Sequence, residues 1–445
     1  MEISSLVSEV AAFHGYSSRM HVAGLFAGIG GIELGLQRAF RRGSRHAFET
    51  ALLCEFDAAA QAVLRTRFPD CPLVGDVREL KRLPSGTELV TAGFPCQDLS
   101  QAGLTRGIIG ERSGLVGEVF RLLRNSDVPH LLIENVPFML QLQGGRAMRL
   151  ITESLTHLGF RWAYRVLDAM AFGLPQRRQR VFLFASRTVD PLRVLFGSDD
   201  GDQSPQDRGD RACGFFWTEG ERGLGWAVDA VPTMKGGSTI GVPSPPAIWM
   251  PDGAIVTPDI RDAERLQGFP ADWTQPTESV TRGTFRWKQV GNAVAVPVAT
   301  WVGQRIGRPS SVACPAGERV ESNKRWPFAA ALIESEPTEV IASAWPIVSE
   351  RPALTTFLEY PTRPLSARAT LGFLQRLHKG NLRLERGFID AIEAHLVRMG
   401  GTAPERPDRE RQPRRGRTPP ERAAIGARRG SKRRPREGAA TLFDL

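Results

Sequence analysis

The residues best placed to do chemistry stand at the ends of apolar runs. Cys96 lies in Gly93-Phe-Pro-Cys-Gln-Asp-Leu-Ser100, directly after the strand-like run Glu88-Leu-Val-Thr-Ala92. A thiolate is a strong nucleophile, and backbone N–H groups and nearby arginines favour it over the thiol. A free cysteine is more often a small buried hydrophobe. The Pro-Cys-Gln setting and the glycines that follow, Gly103, Gly107, Gly110 and Gly114, favour the reactive reading. Glu134 closes a second apolar run, His130-Leu-Leu-Ile-Glu134-Asn135-Val136. Desolvation at such a position raises a carboxyl pKa and suits acid work, although a helix cap or an ion-paired glutamate would read the same. Gln176-Arg177-Arg178-Gln179-Arg180 gathers cations, and taken alone it is a charged turn.

These groups need a scaffold. Met20 to Leu25 reads as a strand, Gly28-Ile-Gly-Gly31 as a turn, and Ile32 to Phe40 as a helix. Strand, glycine turn and helix bring backbone N–H groups close to a ligand, and serve tight packing equally well. Ala51 to Glu55 reads as a second strand, its acidic end suited to a ribose diol. Thus far a dinucleotide dehydrogenase fits as well as a methyltransferase. Arg161–Asp168 and Arg180–Ala185 read as two more strands, and open α/β sheets place their ligands at the carboxyl ends of strands. Thr257-Pro258 looks like a cap followed by proline at the first position of a helix over Asp259–Leu266. Phe388, Ile389, Ile392 and Leu396 form one helical stripe that Gly400-Gly401 would end.

Phe26-Ala-Gly-Ile-Gly-Gly31, Pro95-Cys96-Gln97, Glu134-Asn135-Val136, Gln176–Arg180, Arg265-Leu-Gln-Gly-Phe-Pro270 and Gly291-Asn292-Ala293-Val294 occur in that order. Over about residues 20–305 the chain resembles the DNA (cytosine-5) methyltransferases. The resemblance implies an α/β fold: a Rossmann-like S-adenosyl-L-methionine domain with a smaller, mostly β or irregular target-recognition domain. It implies that Cys96 adds to C6 of a flipped-out cytosine, with Glu134, Arg178 and Arg180 stabilising the ring, Arg178 at O2. The cofactor would be held by Phe26, Gly28, Gly30, Gly31, Glu55, Phe56, Asp76, Val77, Pro95, Leu115 and Asn292. Candidate DNA contacts are Gln97, Ser100, Arg106 and Arg112 on a glycine-hinged lid, and Lys235, Gly236 and Gly237 in the recognition region. One departure stands out: the family commonly has Asp where this chain has Gly24, which leaves the methionine end of the cofactor less fully explained.

The resemblance and composition together divide the chain into an N-terminal segment (1–19), the catalytic domain (20–186), the recognition region (187–270), a return to the catalytic domain (271–307), a small helical appendage (308–401) and a disordered basic tail (402–445). The net charge is +10, of which residues 402–437 carry +8 from 13 basic and 5 acidic side chains. Such a tail would hold DNA through its phosphates without reading sequence, or simply solubilise the chain. Five cysteines at positions 54, 71, 96, 213 and 314 have no paired spacing, so neither a zinc site nor a disulfide framework is expected. No apolar run suggests a membrane span or signal peptide, and a cytoplasmic, nucleoid-associated enzyme is expected. Expected partners are double-stranded DNA and, where the system is paired, a cognate restriction endonuclease acting on the same site; the default state is a monomer. Competing readings are an RNA (tRNA) cytosine-5 methyltransferase, against which the absence of Cys-Phe-Thr counts, a cofactor- and DNA-binding protein without catalysis, and a dehydrogenase.

Overall fold

A computed structural model describes residues 18–40, 46–95, 114–204, 206–236, 243–311, 315–321 and 325–405. Seventeen strands are assigned among them: β1 (Ser18–Leu25), β2 (His46–Cys54), β3 (Leu73–Val74), β4 (Thr87–Ala92), β5 (His130–Asn135), β6 (Arg161–Asp168), β7 (Gln176–Arg177), β8 (Gln179–Ser186), β9 (Cys213–Phe215), β10 (Trp226–Val228), β11 (Val231–Pro232), β12 (Ala247–Trp249), β13 (Ile255–Thr257), β14 (Ala316–Arg319), β15 (Ala329–Ile333), β16 (Glu336–Val340) and β17 (Arg363–Pro364). Ten form one sheet in the order β14-β16-β15-β6-β8-β5-β4-β1-β2-β3, so the fold is mixed α/β.

The β5-β4-β1-β2-β3 half is parallel. Its strands are apolar because both faces are covered: Val22, Leu25, Leu89, Val90, Leu131 and Ile133 are all buried. From β1 the chain moves outward to β2 and β3, then returns to the other side as β4 and β5. That reversal opens a crevice between the carboxyl ends of β1 and β4. The other half, from β8 to β14, is antiparallel.

The expectation of a helical appendage from residue 308 does not match. β14, β15 and β16 extend the large sheet, with β15 pairing β6. The apolar run Ala329-Ala-Ala-Leu-Ile333 satisfies its backbone groups there, and the Tyr164 hydroxyl donates to the Pro327 carbonyl at 2.8 Å. The longer helices of the stretch, Ala367–Lys379 and Phe388–Arg398, belong to a second compact unit with residues 216–225. Within that unit Phe388, Ile392 and Leu396 of the stripe are buried and Ile389 is half-buried, Phe373 meets Phe388 edge-on, and the Gly401 amide closes the helix on the Leu396 carbonyl at 2.9 Å. Residues 406–445, most of the expected tail, lie outside the described residues.

Of the five-stranded sheet β10-β9-β12-β13-β17 in the larger unit, four strands fall within residues 187–270, expected to be the recognition region, and the fifth, β17, comes from Arg363–Pro364. The helix Ile260–Leu266 is capped by Asp259, not Thr257: its carboxylate reaches the Arg261 amide at 3.0 Å, and Pro258 precedes the cap.

Candidate active site

A cavity of about 560 Å³ occupies the crevice. Four parallel strands contribute residues just past their ends: Phe26–Gly28 after β1, Glu55–Asp57 after β2, Gly75–Arg78 after β3, Gly93 and Pro95 after β4; β5 contributes Glu134, one residue before its end. Leu115 and, from the returning chain, Lys288, Gln289 and Asn292 close it. Of the eleven residues expected to hold a cofactor, ten line this cavity. Gly30 is the exception. It sits at φ +81° as the residue before the helix Gly31–Arg38, and a Cβ there would fall 2.4 Å from the Phe68 ring. Its smallness serves packing.

The turn itself is strained. Phe26 holds φ +55°, a left-handed conformation costly for a bulky residue and typical of functional sites. Its ring meets Phe94 edge-on at 6.3 Å. Gly28 has φ +57° and no atom within 4 Å of where a Cβ would be, so its backbone faces open space. The Gly28 amide donates to the Glu55 carboxylate at 2.7 Å, and the Asp57 amide donates to its other oxygen at 2.8 Å. Burial raises the Glu55 pKa against those two bonds. Phe56 is 75 % exposed, a free aromatic face beside the cavity. Asp76 is held by Arg78 at 2.5–3.0 Å, which lowers its pKa. Val77 beside it is buried. Gly31 lets the chain pack closely, since a Cβ there would lie 2.7 Å from the Val294 carbonyl oxygen.

The Glu134 side chain is buried and pairs with Arg180 at 3.3 Å. Burial raises the Glu134 pKa, while Arg180 and then Arg178 pull it back. Asn135 donates to the Phe94 carbonyl at 2.9 Å, and so ties the end of β5 to the segment that carries Pro95 toward Cys96. Cys96 itself lies outside the described residues, as do Gln97, Ser100, Arg106, Arg112 and Gly237.

Arg178 does not take the position expected of it. Its guanidinium donates to the carbonyls of Met234 (3.2 Å), Gly291 (3.2 Å) and Ala293 (2.6 Å), and it is 2 % exposed. Three backbone acceptors hold it outside the cavity lining; it clamps the segment at Met234 to the returning chain. The cation beside Glu134 is Arg180. Gln176 extends the clamp, donating to the Leu266 carbonyl at 2.8 Å and accepting from the Met234 amide at 3.2 Å.

Residues 20–206 and 259–308 match the C-5 cytosine-specific DNA methylase family. The chain belongs to that family. It is 47 % identical over 391 residues to the type II methyltransferase M2.BsuMI of Bacillus subtilis, an alignment covering 84 % of this chain and 97 % of that one. With the type II methyltransferase M.SsoII of Shigella sonnei it shares 28 % identity over 323 residues, 65 % of this chain and 80 % of the relative. The crystal structure of S. pombe Dnmt2 methyltransferase aligns with a TM-score of 0.47 at 16 % identity, over 65 % of this chain and 99 % of that one.

In this methylase the returning chain is fastened to the glycine turn. The Trp273 indole donates to the Ile29 carbonyl at 2.9 Å. Arg286, 6 % exposed, donates to Glu264 and Glu278 at 3.0 Å, and Glu264, fully buried, also accepts from the Thr274 amide. Gly236 was expected to allow approach to DNA. A Cβ there would lie 2.7 Å from Asn292 Oδ1, so its smallness accommodates Asn292; Lys235 beside it is exposed. Glu33, Arg78 and Lys288 line the cavity and were not singled out from the sequence. For Glu33 the signal was available: an acidic residue three positions into a helix that begins in the glycine turn, opposite an unexpected glycine at 24. Among the described residues no cluster of His, Cys, Asp and Glu could hold a metal ion, and no helix is long and apolar enough to cross a membrane.

Proposed function

We propose that the cavity binds S-adenosyl-L-methionine and that the enzyme methylates C5 of a cytosine flipped out of a short double-stranded site, through a covalent bond from Cys96 to C6. The observation that carries this reading is that Pro95, one residue before Cys96, and Glu134 line the same cavity as the strained turn at Phe26–Gly28 and the carboxylate of Glu55. The cavity fits the cofactor in kind: an open glycine cradle, a carboxylate already held by two amides, an exposed aromatic face and an acidic group at Asp76. Glu55 would take the ribose hydroxyls, Phe56 the adenine face and Asp76 the adenine amino group, while Val77, Pro95, Leu115 and Asn292 close the walls. The bound sulfonium supplies an electrophilic methyl carbon.

Cytosine C5 is a poor nucleophile until a thiolate adds at C6 and turns the ring into an enamine. Cys96 makes that bond. Charge then moves toward N3 and O2. Glu134, its pKa raised by burial, shares a proton with N3, and Arg180 stabilises O2 as a cationic donor. After C5 has reacted, its proton leaves and the thiolate is expelled. Stacking shields C6 within a duplex, so the base must be flipped out, at a cost of a few kcal/mol. Gln97, Ser100, Arg106 and Arg112 would act on the lid, and Lys235 on the phosphates. The two type II relatives support a restriction–modification setting; a cognate endonuclease as partner and a monomeric cytoplasmic state belong to the same reading.

Duplex DNA containing 5-fluorocytosine tests this. With S-adenosyl-L-methionine the protein should form a denaturation-stable adduct that Cys96→Ser abolishes. An adduct that persists in Cys96→Ser, or methyl label on an exocyclic nitrogen, overturns it.

A further inference from the structure

Glu33 is 1 % exposed, yet it lines the cavity. One carboxylate oxygen, Oε1, accepts from the Thr91 hydroxyl at 2.8 Å. The other, Oε2, is buried with no hydrogen-bond partner. Buried polar atoms are normally satisfied, and an orphaned carboxylate oxygen is among the costlier exceptions. The fold makes room for this group: a Cβ on Gly24 would lie 2.5 Å from Oε1. The glycine at 24 and the glutamate at 33 therefore occupy one space between them, with the carboxylate arriving from the helix and not from the strand. Around it stand Thr91 from β4, the Glu55 carboxylate past β2, and Cys71; no cation faces it among the groups that act on it.

Resting on the S-adenosyl-L-methionine reading, we propose that Glu33 is a cofactor-binding residue whose unpaired oxygen receives the α-ammonium group of the methionine end. The cavity has carboxylates to spare, and one oxygen of this one lacks a donor. An ammonium presents three N–H donors and a full positive charge, so it would satisfy Oε2 and neutralise the group together. Burial has lifted Glu33 to about 7, against the opposing pull of its own amide and Thr91. An arriving cation reverses that shift. The isolated glutamate is thus built for a charged partner that comes and goes with the ligand.

Binding of two ligands to the full chain, measured by calorimetry, tests the proposal. S-adenosylhomocysteine carries the ammonium; 5′-methylthioadenosine shares the adenine, ribose and sulfur but lacks the amino-acid end. In Glu33→Gln the amide oxygen still accepts from Thr91, which preserves the fold, and a thermal melt checks it. Affinity for S-adenosylhomocysteine should fall about 10- to 100-fold, the worth of a charge-assisted hydrogen bond, with 5′-methylthioadenosine unchanged. Gly24→Asp combined with Glu33→Ser, which returns a carboxylate to the same space from the strand side, should restore most of the loss. Equal weakening of both ligands, or none for S-adenosylhomocysteine, overturns the proposal. Failure of the unmutated protein to bind either ligand overturns the cofactor reading beneath it.

Discussion

In the parallel half of the large sheet, four strands each deliver a cavity residue within a few positions of their ends: Phe26 after β1, Glu55 after β2, Asp76 after β3, Pro95 after β4. In the antiparallel half, position along the chain says little. Two arginines stand two residues apart, Arg178 between β7 and β8 and Arg180 in β8; Arg180 meets Glu134 across the β5–β8 ladder, and Arg178 turns away to three carbonyls. Crossover connections send every parallel strand the same way, so their ends gather at one crevice. An antiparallel strand brings residues of distant sequence opposite one another, and the partner decides each side chain's work.

Replacing the two arginines separates these routes, with the largest expected effect. Arg178→Met strands the carbonyls of Met234, Gly291 and Ala293, at about 1–3 kcal/mol for each acceptor left unsatisfied, and should cost roughly 3–5 kcal/mol in all. Its folded fraction, at reduced temperature, should still form the 5-fluorocytosine adduct. Arg180→Met leaves Glu134 to take up a proton, should cost less stability, and should lose most adduct formation. Denaturant melts and adduct yield, measured together, would contradict the assignment if the two variants behaved alike.

Glu33 gives the next effect, in the parallel half. Its folded pKa of about 7 lies above the ordinary 4.5, so the native state binds the extra proton between those values. Stability of the ligand-free protein should therefore decline as pH rises from 4.5 to 7, by at most ~3 kcal/mol from this group. Glu33→Gln should flatten that part of the profile, read from melting temperature against pH. Smaller again is Gly35→Ala. A Cβ there would lie 2.5 Å from the Ala299 Cβ and 2.8 Å from the Val296 carbonyl oxygen, where helices Gly31–Arg38 and Val296–Gly307 touch. Overpacking should cost about 1–3 kcal/mol without altering the pH profile. The smallest expected change is Lys235→Ala: stability within about 0.5 kcal/mol, and DNA affinity whose salt dependence falls by about one phosphate contact.

Much of the parallel half was legible because its motifs are local. A glycine turn, an acidic strand end and Pro-Cys-Gln each lie within a few residues, and ten of the eleven cofactor residues implied by the family resemblance share one cavity. Gly30 does not line it, because a glycine has two uses, approach to a ligand and approach to a neighbouring ring, and only the position of Phe68 chose between them. Gly236 likewise makes room for Asn292. Strands β14–β16 were missed since they are only four or five residues long and β14, at the sheet edge, is mostly exposed, with little periodicity to read.

The sequence by itself determined the family, the order of the parallel strands' motifs and the types of group at each strand end, because a strand, its turn and the next helix are set by neighbouring residues. The tertiary structure decided which arginine stands beside Glu134, that Arg178 is a clamp, and that Glu33 fills the space Gly24 leaves. Those outcomes depend on which groups compete for a buried charge, and the competitors come from segments tens to more than a hundred residues apart.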